Sequence, residues 1–390
     1  MVQDVSTPEI QAIMDDFARD TGLSSEKAPR RYLWTDAFAV CNFLDLYRRT
    51  GEERYLDLAR RLVSQVHHVL GRHRADDPRS GWISGLDEEE GEEHPTRNGL
   101  RIGKELNERR PGERYDPKLE WDRDGQYYHY LTKWMHALNR AGRVTADPTY
   151  PFWAAELARA AHAGFTYLPA GGRPVRMCWK MSIDLSYPLV PSMGQHDPLD
   201  GLITYNEIQA TVPRGAERAT WPDLQAEIAD AARMCEGRDW TTGDALGVGG
   251  LLADAYRVAQ LVSAGAAMGA DLLQILLDAA QVSLRAYRRK GGLHLPLAYR
   301  LAFRELGLSI GLRAVVRMQA LVEERPAAFA GQPALHTQID ALSQHVPLTA
   351  EIEKFWADQA GRETGSWTAH RDINMVMLAT SLAPEGFLTI

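Results

Sequence analysis

The chain has 390 residues, 45% of them hydrophobic and 25% charged, the balance of an ordinary folded globular protein. A formal net charge of −8 and a pI near 5.9 exclude a nucleic-acid backbone as the natural partner, because no basic excess exists to displace counterions. Three scattered cysteines, Cys41, Cys178 and Cys235, fit neither a zinc site nor a disulfide framework, so no metal or cofactor is expected. No apolar run is long enough to span a bilayer, and the first twenty residues lack the charged region and apolar core of a signal peptide. The expectation is therefore a cytoplasmic protein without membrane contact.

Helical periodicity dominates in chain order. Thr7 and Pro8 open a first helix. From Trp34 to Tyr47 the residues Ala37, Phe38, Val40, Cys41, Phe43, Leu44 and Leu46 leave only a thin polar edge, which predicts a buried helix. Gly51 supplies the stop. The segment Glu53 to Leu70 differs, with apolar Tyr55, Ala59, Leu62, Val66 and Val69 on one side and charges on the other, the pattern of an outer helix.

The same two textures return later. Asp244 to Val262 is apolar around its circumference, and Asp271 to Arg289 is polar on one side. Leu297 to Leu321 is again apolar, with Gly307 and Gly311 allowing a neighbour close and Pro326 ending the helix. A last helix runs from about Ser366 to Pro384. Two connections, 71–124 and 167–200, exceed simple turns; their aromatic content predicts ordered flaps, with a hairpin around Tyr167–Met181 turned by Gly171 and Gly172.

About twelve or thirteen helices pair as roughly six inner/outer hairpins, a pattern better served by a ring than by a four-helix bundle or a doubly wound sheet. The expectation is one all-α domain over residues 1–390. The stretches RRYLWTDAFAVCNFLDLYRRTGEERYLDLARRLVSQV and WDRDGQYYHYLTKWMHALNRA resemble hairpins of the six-hairpin glycosidase-like proteins. That resemblance implies an (α/α)6 toroid, in a wider group of glycoside hydrolases, unsaturated glucuronyl hydrolases and sugar 2-epimerases.

The inner-helix starts carry the candidate site. Acids there serve equally as caps, since unpaired N–H groups and the helix dipole favour them. Their clustering with aromatic rings points further, to sugar, whose C–H faces stack on rings while its hydroxyls bind carboxylates. Asp36, Asp122 and Asp124 are the candidate acid/base carboxylates, as glycoside hydrolysis needs two. Trp34, Trp121, His129, His196, Asp197, Asp200, Trp240, His294, Trp367, His370 and Arg371 are the candidate substrate contacts.

The leading expectation is a glycoside hydrolase acting on an oligosaccharide. The alternatives are a sugar epimerase or isomerase working through paired histidines, a non-catalytic glycan-binding toroid, and a lyase using Tyr127, Tyr128 and His129.

Overall fold

The computed structural model describes residues 7–172, 175–212, 221–266, 268 and 270–390. Among them the secondary structure is helical, with a few short strands and no closed sheet. No described helix is long and apolar enough to cross a membrane. The chain forms two compact units, one of residues 18–237 and one of residues 1–17 with 238–390, and α1 (Thr7–Asp20) runs from the latter into the former.

In the unit of residues 18–237, α2 (Leu33–Thr50) buries every residue from Leu33 to Leu46, as its all-round apolar texture requires. It stops where Gly51, left-handed at φ 71°, turns its N–H onto the Tyr47 carbonyl at 2.8 Å. α3 (Glu53–Leu70) buries Tyr55, Leu56, Ala59, Leu62, Val63, Val66 and Leu70 and exposes Arg54, Asp57, Arg60 and Arg61.

The 71–124 connection is ordered and holds two short helices, α4 (Glu88–Glu93) and α5 (Pro117–Asp122), each capped by an Asp side chain. After strand β1 (Gln126–Tyr127) come α6 (Tyr128–Thr145) and α7 (Thr149–Phe165). The second flap contains β2 (Thr166–Tyr167), β3 (Arg176–Met177), β4 (Lys180–Met181) and β5 (Pro188–Val190). Antiparallel pairing of β2 with β3 makes the expected hairpin, of which residues 173 and 174 lie outside the described residues. A three-stranded sheet β1–β4–β5 ties the second flap to the start of α6. The unit ends with α8 (Asp197–Gln209) and α9 (Gln225–Cys235).

α2, α6 and α8 lie side by side, and α3, α7 and α9 each fold back on the helix before them. This is three inner/outer hairpins. Buried polar groups pin α6 to α8: Glu207 accepts from His136 Nδ1 and Asn139 Nδ2, both at 2.9 Å, and the Tyr128 and Tyr205 hydroxyls meet at 2.6 Å. A paired polar group costs little when buried, whereas an orphan costs about 1–3 kcal/mol, so these pairs fix the packing register.

The other unit contains α10 (Ala245–Ser263), α11 (Ala270–Arg289), α12 (Ala302–Glu324), α13 (Leu335–Ser343), α14 (Leu348–Ala357), α15 (Gln359–Arg362), α16 (Gly365–Ala369), α17 (Arg371–Leu382) and α18 (Glu385–Leu388). Here α10, α12 and α17 lie side by side, with α11 against α10 and with α13 and α14 against α12. Buried Glu353 of α14 accepts from Ser309 and Arg313 of α12 and from Ser381 of α17.

Two predicted boundaries move in this unit. α12 starts only at Ala302, because 3-10 turns at Gly292–His294 and Leu297–Tyr299 precede it. The last helix is two helices, broken at His370 (φ −127°, ψ 34°).

Glycines let α10 and α12 meet backbone to backbone. A Cβ on Gly249 would stand 2.0 Å from the Gly307 carbonyl oxygen, and one on Gly311 would stand 2.6 Å from the Gly249 Cα. By contrast, a Cβ on Gly250 would meet nothing within 4 Å. Gly249→Ala is expected to lower stability by about 1–3 kcal/mol through this overlap. Gly250→Ala should be neutral or gain up to about 1 kcal/mol from helix propensity. Thermal unfolding of the two variants checks the contrast.

Candidate active site

The N-terminal ends of α2, α6 and α8 meet at one end of the 18–237 unit. The Tyr32 hydroxyl, just before α2, lies 2.7 Å from that of Tyr130 in the first turn of α6. His129 of that same turn places Nδ1 3.7 Å from Oδ1 of Asp197, the first residue of α8. The two flaps complete the group.

A circuit of side chains results. Tyr32 and Tyr130 pack edge to face at 5.5 Å, and Tyr130 and His129 do so at 4.9 Å. His129 lies parallel to Trp179 at 6.1 Å with only 10° between planes, and Trp179 stacks with Trp121 at 6.4 Å. Lys104 closes the circuit, its Nζ 4.9 Å from the Trp121 ring and 5.4 Å from the Tyr32 ring. Tyr127 lies inside it, 2% exposed and touching His129, Tyr130 and Trp179. All six members of the circuit keep some exposure, and Trp121 is 54% exposed. Flat rings with polar edges around an apolar floor suit the alternating C–H and hydroxyl faces of a sugar.

Titration within this group is displaced by burial. The His129 imidazole is pushed down to about 4, since burial disfavours its cation and Lys133 adds repulsion against the pull of Asp200. Its Nδ1 is buried with no hydrogen-bond partner among the described residues. Asp197 is pushed up to about 8, first by burial and then by Asp200, with the Gly194 backbone N–H acting in the opposite sense. Gly194 lies so close that a Cβ there would stand 2.4 Å from Asp197 Oδ2. Asp200 is held by Lys133 at 2.9 Å. Burial and Asp124 raise the Tyr32 hydroxyl to about 12, against the opposing hydrogen bond of Tyr130. At neutral pH the site thus holds a neutral imidazole beside a neutral carboxyl.

The candidates read from sequence part into three sets. Trp121, His129, Asp197 and Asp200 come together in or beside this circuit, and Asp122 is exposed at the end of α5 beside Trp121. His196 precedes α8, its carbonyl accepting from the Asp200 N–H at 2.9 Å.

A second set in this unit is structural. Asp36 is buried, with Oδ2 accepting from the Tyr32 N–H at 2.9 Å and Oδ1 3.5 Å from Arg31, so it caps α2. Asp124 has no exposure and accepts from Arg101 at 2.5 Å and from the Gly103 and Gly125 N–H groups at 3.0 Å. Both are held inside the protein by these contacts, Asp36 at 2% exposure and Asp124 at none. Trp34 is buried against Phe38 at 4.5 Å.

The remaining candidates are in the other unit. Trp240 is buried, and Trp367 is buried and stacked on Trp356 at 6.1 Å. His294 is exposed on a 3-10 turn, His370 is exposed beside Phe303 at 5.7 Å, and Arg371 is exposed at the start of α17. Asp244 caps α10 by accepting from the Gly247 N–H at 3.1 Å and pairs with Arg304.

Sequence reasoning missed Tyr32, Lys104, Tyr130 and Trp179. The run QYYHY held a readable signal, because a strand passing into a helix sends adjacent aromatics in different directions: Tyr128 inward to Tyr205, His129 and Tyr130 to the surface circuit.

No family model matches the sequence, and no curated protein matches it. Solved structures similar in fold include the following two. The GH76A α-1,6-mannanase from Salegentibacter sp. HEL1_6 superposes with a TM-score of 0.51 at 14% identity, covering 97% of this chain and 99% of that one. The cellobiose 2-epimerase from Spirochaeta thermophila DSM 6192 gives 0.51 at 10% identity, covering 97% of this chain and 98% of that one. Among the described residues the chain is built of repeated helical hairpins with no closed sheet, the (α/α)-toroid type of fold that these two structures also have.

Two outcomes test the assignment of roles. Asp124→Ala strands Arg101 in a buried place and is expected to cost about 3–5 kcal/mol, with new protease cleavage inside 71–124. Asp197→Asn acts oppositely and with pH. The unfolded chain ionises this carboxyl near 3.8 and the folded chain near 8, so the folded state binds more protons between them and loses stability as pH rises through that window. In denaturant unfolding the variant should match the parent in unfolding free energy near pH 4 and exceed it near pH 8, by on the order of 1–3 kcal/mol.

Proposed function

We propose that the protein is a carbohydrate-active enzyme that moves a proton at the sugar carbon beside the carbonyl, as a sugar epimerase or isomerase does, with His129 as the group that takes the proton. One observation carries this reading: a neutral, partly exposed imidazole stacked on Trp179 and facing Asp197. A base must be unprotonated at working pH, and burial secures that for His129 at any pH above about 4.

In the step, the C–H bond breaks, its proton goes to His129, and its electron pair moves into the carbonyl to give an enediolate. Asp197 gives its proton to the enediolate oxygen, and the carboxylate so formed stabilises the imidazolium. Once the intermediate has turned its other face to His129, return of the proton there inverts the carbon; return to the neighbouring carbon isomerises the sugar. The paired Tyr32 and Tyr130 hydroxyls are placed to hydrogen-bond the substrate oxygens. Two solved structures of this fold, a mannanase and a cellobiose 2-epimerase, support a sugar as substrate.

Hydrolysis is the second reading, favoured by one observation: Asp197, kept neutral, stands one helical turn from Asp200, which pairs with Lys133. The leading reading is preferred because Asp36 and Asp124 are taken up by backbone and arginine contacts, while Asp122, the third carboxylate expected to serve, is exposed at the end of α5.

The test is incubation with reducing mono- and disaccharides in D2O, followed by NMR and mass spectrometry. Deuterium is expected at the carbon next to the carbonyl, in a product of unchanged backbone mass, with at least a hundredfold loss in His129→Ala. The acidic limb of kcat/KM should lie near pH 4 rather than near 6.5. Cleavage to smaller sugars that survives His129→Ala and dies in Asp197→Asn would establish hydrolysis instead. Saccharide binding with neither reaction would leave a glycan-binding protein.

A further inference from the structure

Lys104 is the one member of the circuit whose placement a neutral sugar does not explain. Its ammonium has no carboxylate within ion-pair distance among the described residues, although the chain as a whole is acidic. The neighbouring cations are matched: Lys180 by Glu120 at 2.9 Å, Arg101 by Asp124 at 2.5 Å, Arg109 by Glu120 at 2.9 Å and Lys133 by Asp200 at 2.9 Å. Asp122, Asp124 and Glu105 attract Lys104 from a distance, while Lys180 repels it. Burial and that repulsion ease its proton affinity below the ordinary lysine value. Two ring faces hold the Lys104 ammonium by cation–π attraction.

We propose that the circuit takes an anionic saccharide, and that Lys104 binds its charged group while the sugar ring lies on Trp121 and Trp179. This deepens the reading above and rests on it for the sugar. The physical reason is a balance of charge. A cation partly withdrawn from water and unmatched by a carboxylate gains most from a ligand that brings the missing charge. A point-like ammonium reads charge rather than shape, so a uronate carboxylate and a phosphate ester on the same carbon both satisfy it.

The experiment is titration of the intact protein with glucose, glucuronate and glucose 6-phosphate, followed by tryptophan fluorescence and calorimetry. It is run at low and high salt, with the parent, Lys104→Met and Lys104→Arg. Glucuronate and glucose 6-phosphate are expected to bind at least tenfold tighter than glucose, an advantage that shrinks with salt. Lys104→Met should erase that advantage, and Lys104→Arg should restore much of it. A preference for glucuronate alone would identify a carboxylate as the group read; a preference for the phosphate alone would identify an ester. Equal binding of all three by the parent, or an advantage that persists in Lys104→Met, would overturn the role of Lys104 and leave the sugar reading standing. Absence of binding by any saccharide, with the fold intact by circular dichroism, would overturn both.

Discussion

The Asp124 carboxylate is the constraint on which the candidate site depends. Fully buried, it joins the Arg101 guanidinium to the backbone N–H groups of Gly103 and Gly125. A buried carboxylate persists only when its lone pairs are matched, so this one fixes the last part of the 71–124 connection against the strand that leads into α6. Lys104 and Trp121 lie on one side of the anchor and Tyr127 to Tyr130 on the other. Gly125 is needed there as well, since a Cβ would stand 2.7 Å from the Met181 carbonyl oxygen on the paired strand. A second anchor, Arg79 with Asp77, Glu108 and Asp184, binds the two flaps to each other.

On that frame the site brings titratable groups together under partial desolvation. Low dielectric acts on His129 and Asp197 in opposite senses, lowering one and raising the other, so both are neutral over the same pH range. Such a pair stores a proton without storing charge. It also costs stability at alkaline pH, where Asp197 is forced to ionise while buried and beside Asp200, the usual sign of a site shaped for something other than folding. Glu207, Glu120 and Asp124 of this unit follow the opposite rule, all buried and all matched.

Fold and chemistry separate cleanly in this architecture. A mannanase and a cellobiose 2-epimerase give the same TM-score against this chain, so their shared hairpins carry no information about which reaction occurs. The distinction lies in a few side chains at the inner-helix starts. There two of the three carboxylates expected for hydrolysis, Asp36 and Asp124, cap a helix and anchor a flap, while the His129 imidazole keeps its exposure.

Much of the architecture was legible in the residues. All-round apolar texture marks α2 and α10 as buried, one-sided texture marks α3 as outer, and Gly51, Gly307 and Gly311 mark a stop and a close crossing. These are local properties, set by periodicity and by the absence of a Cβ, and they need no knowledge of distant chain. The roles of the acids were not legible. A first-turn aspartate looks the same whether it caps its own helix, as Asp36 does, or faces an imidazole on another, as Asp197 does. Only tertiary structure assigns partners, because Lys104, His129, Trp179 and Asp197 stand far apart along the chain and meet solely through the packing of three helix ends and two flaps. Burial and pairing are collective properties, and these decide which aspartates are structural and which histidine is left neutral and open.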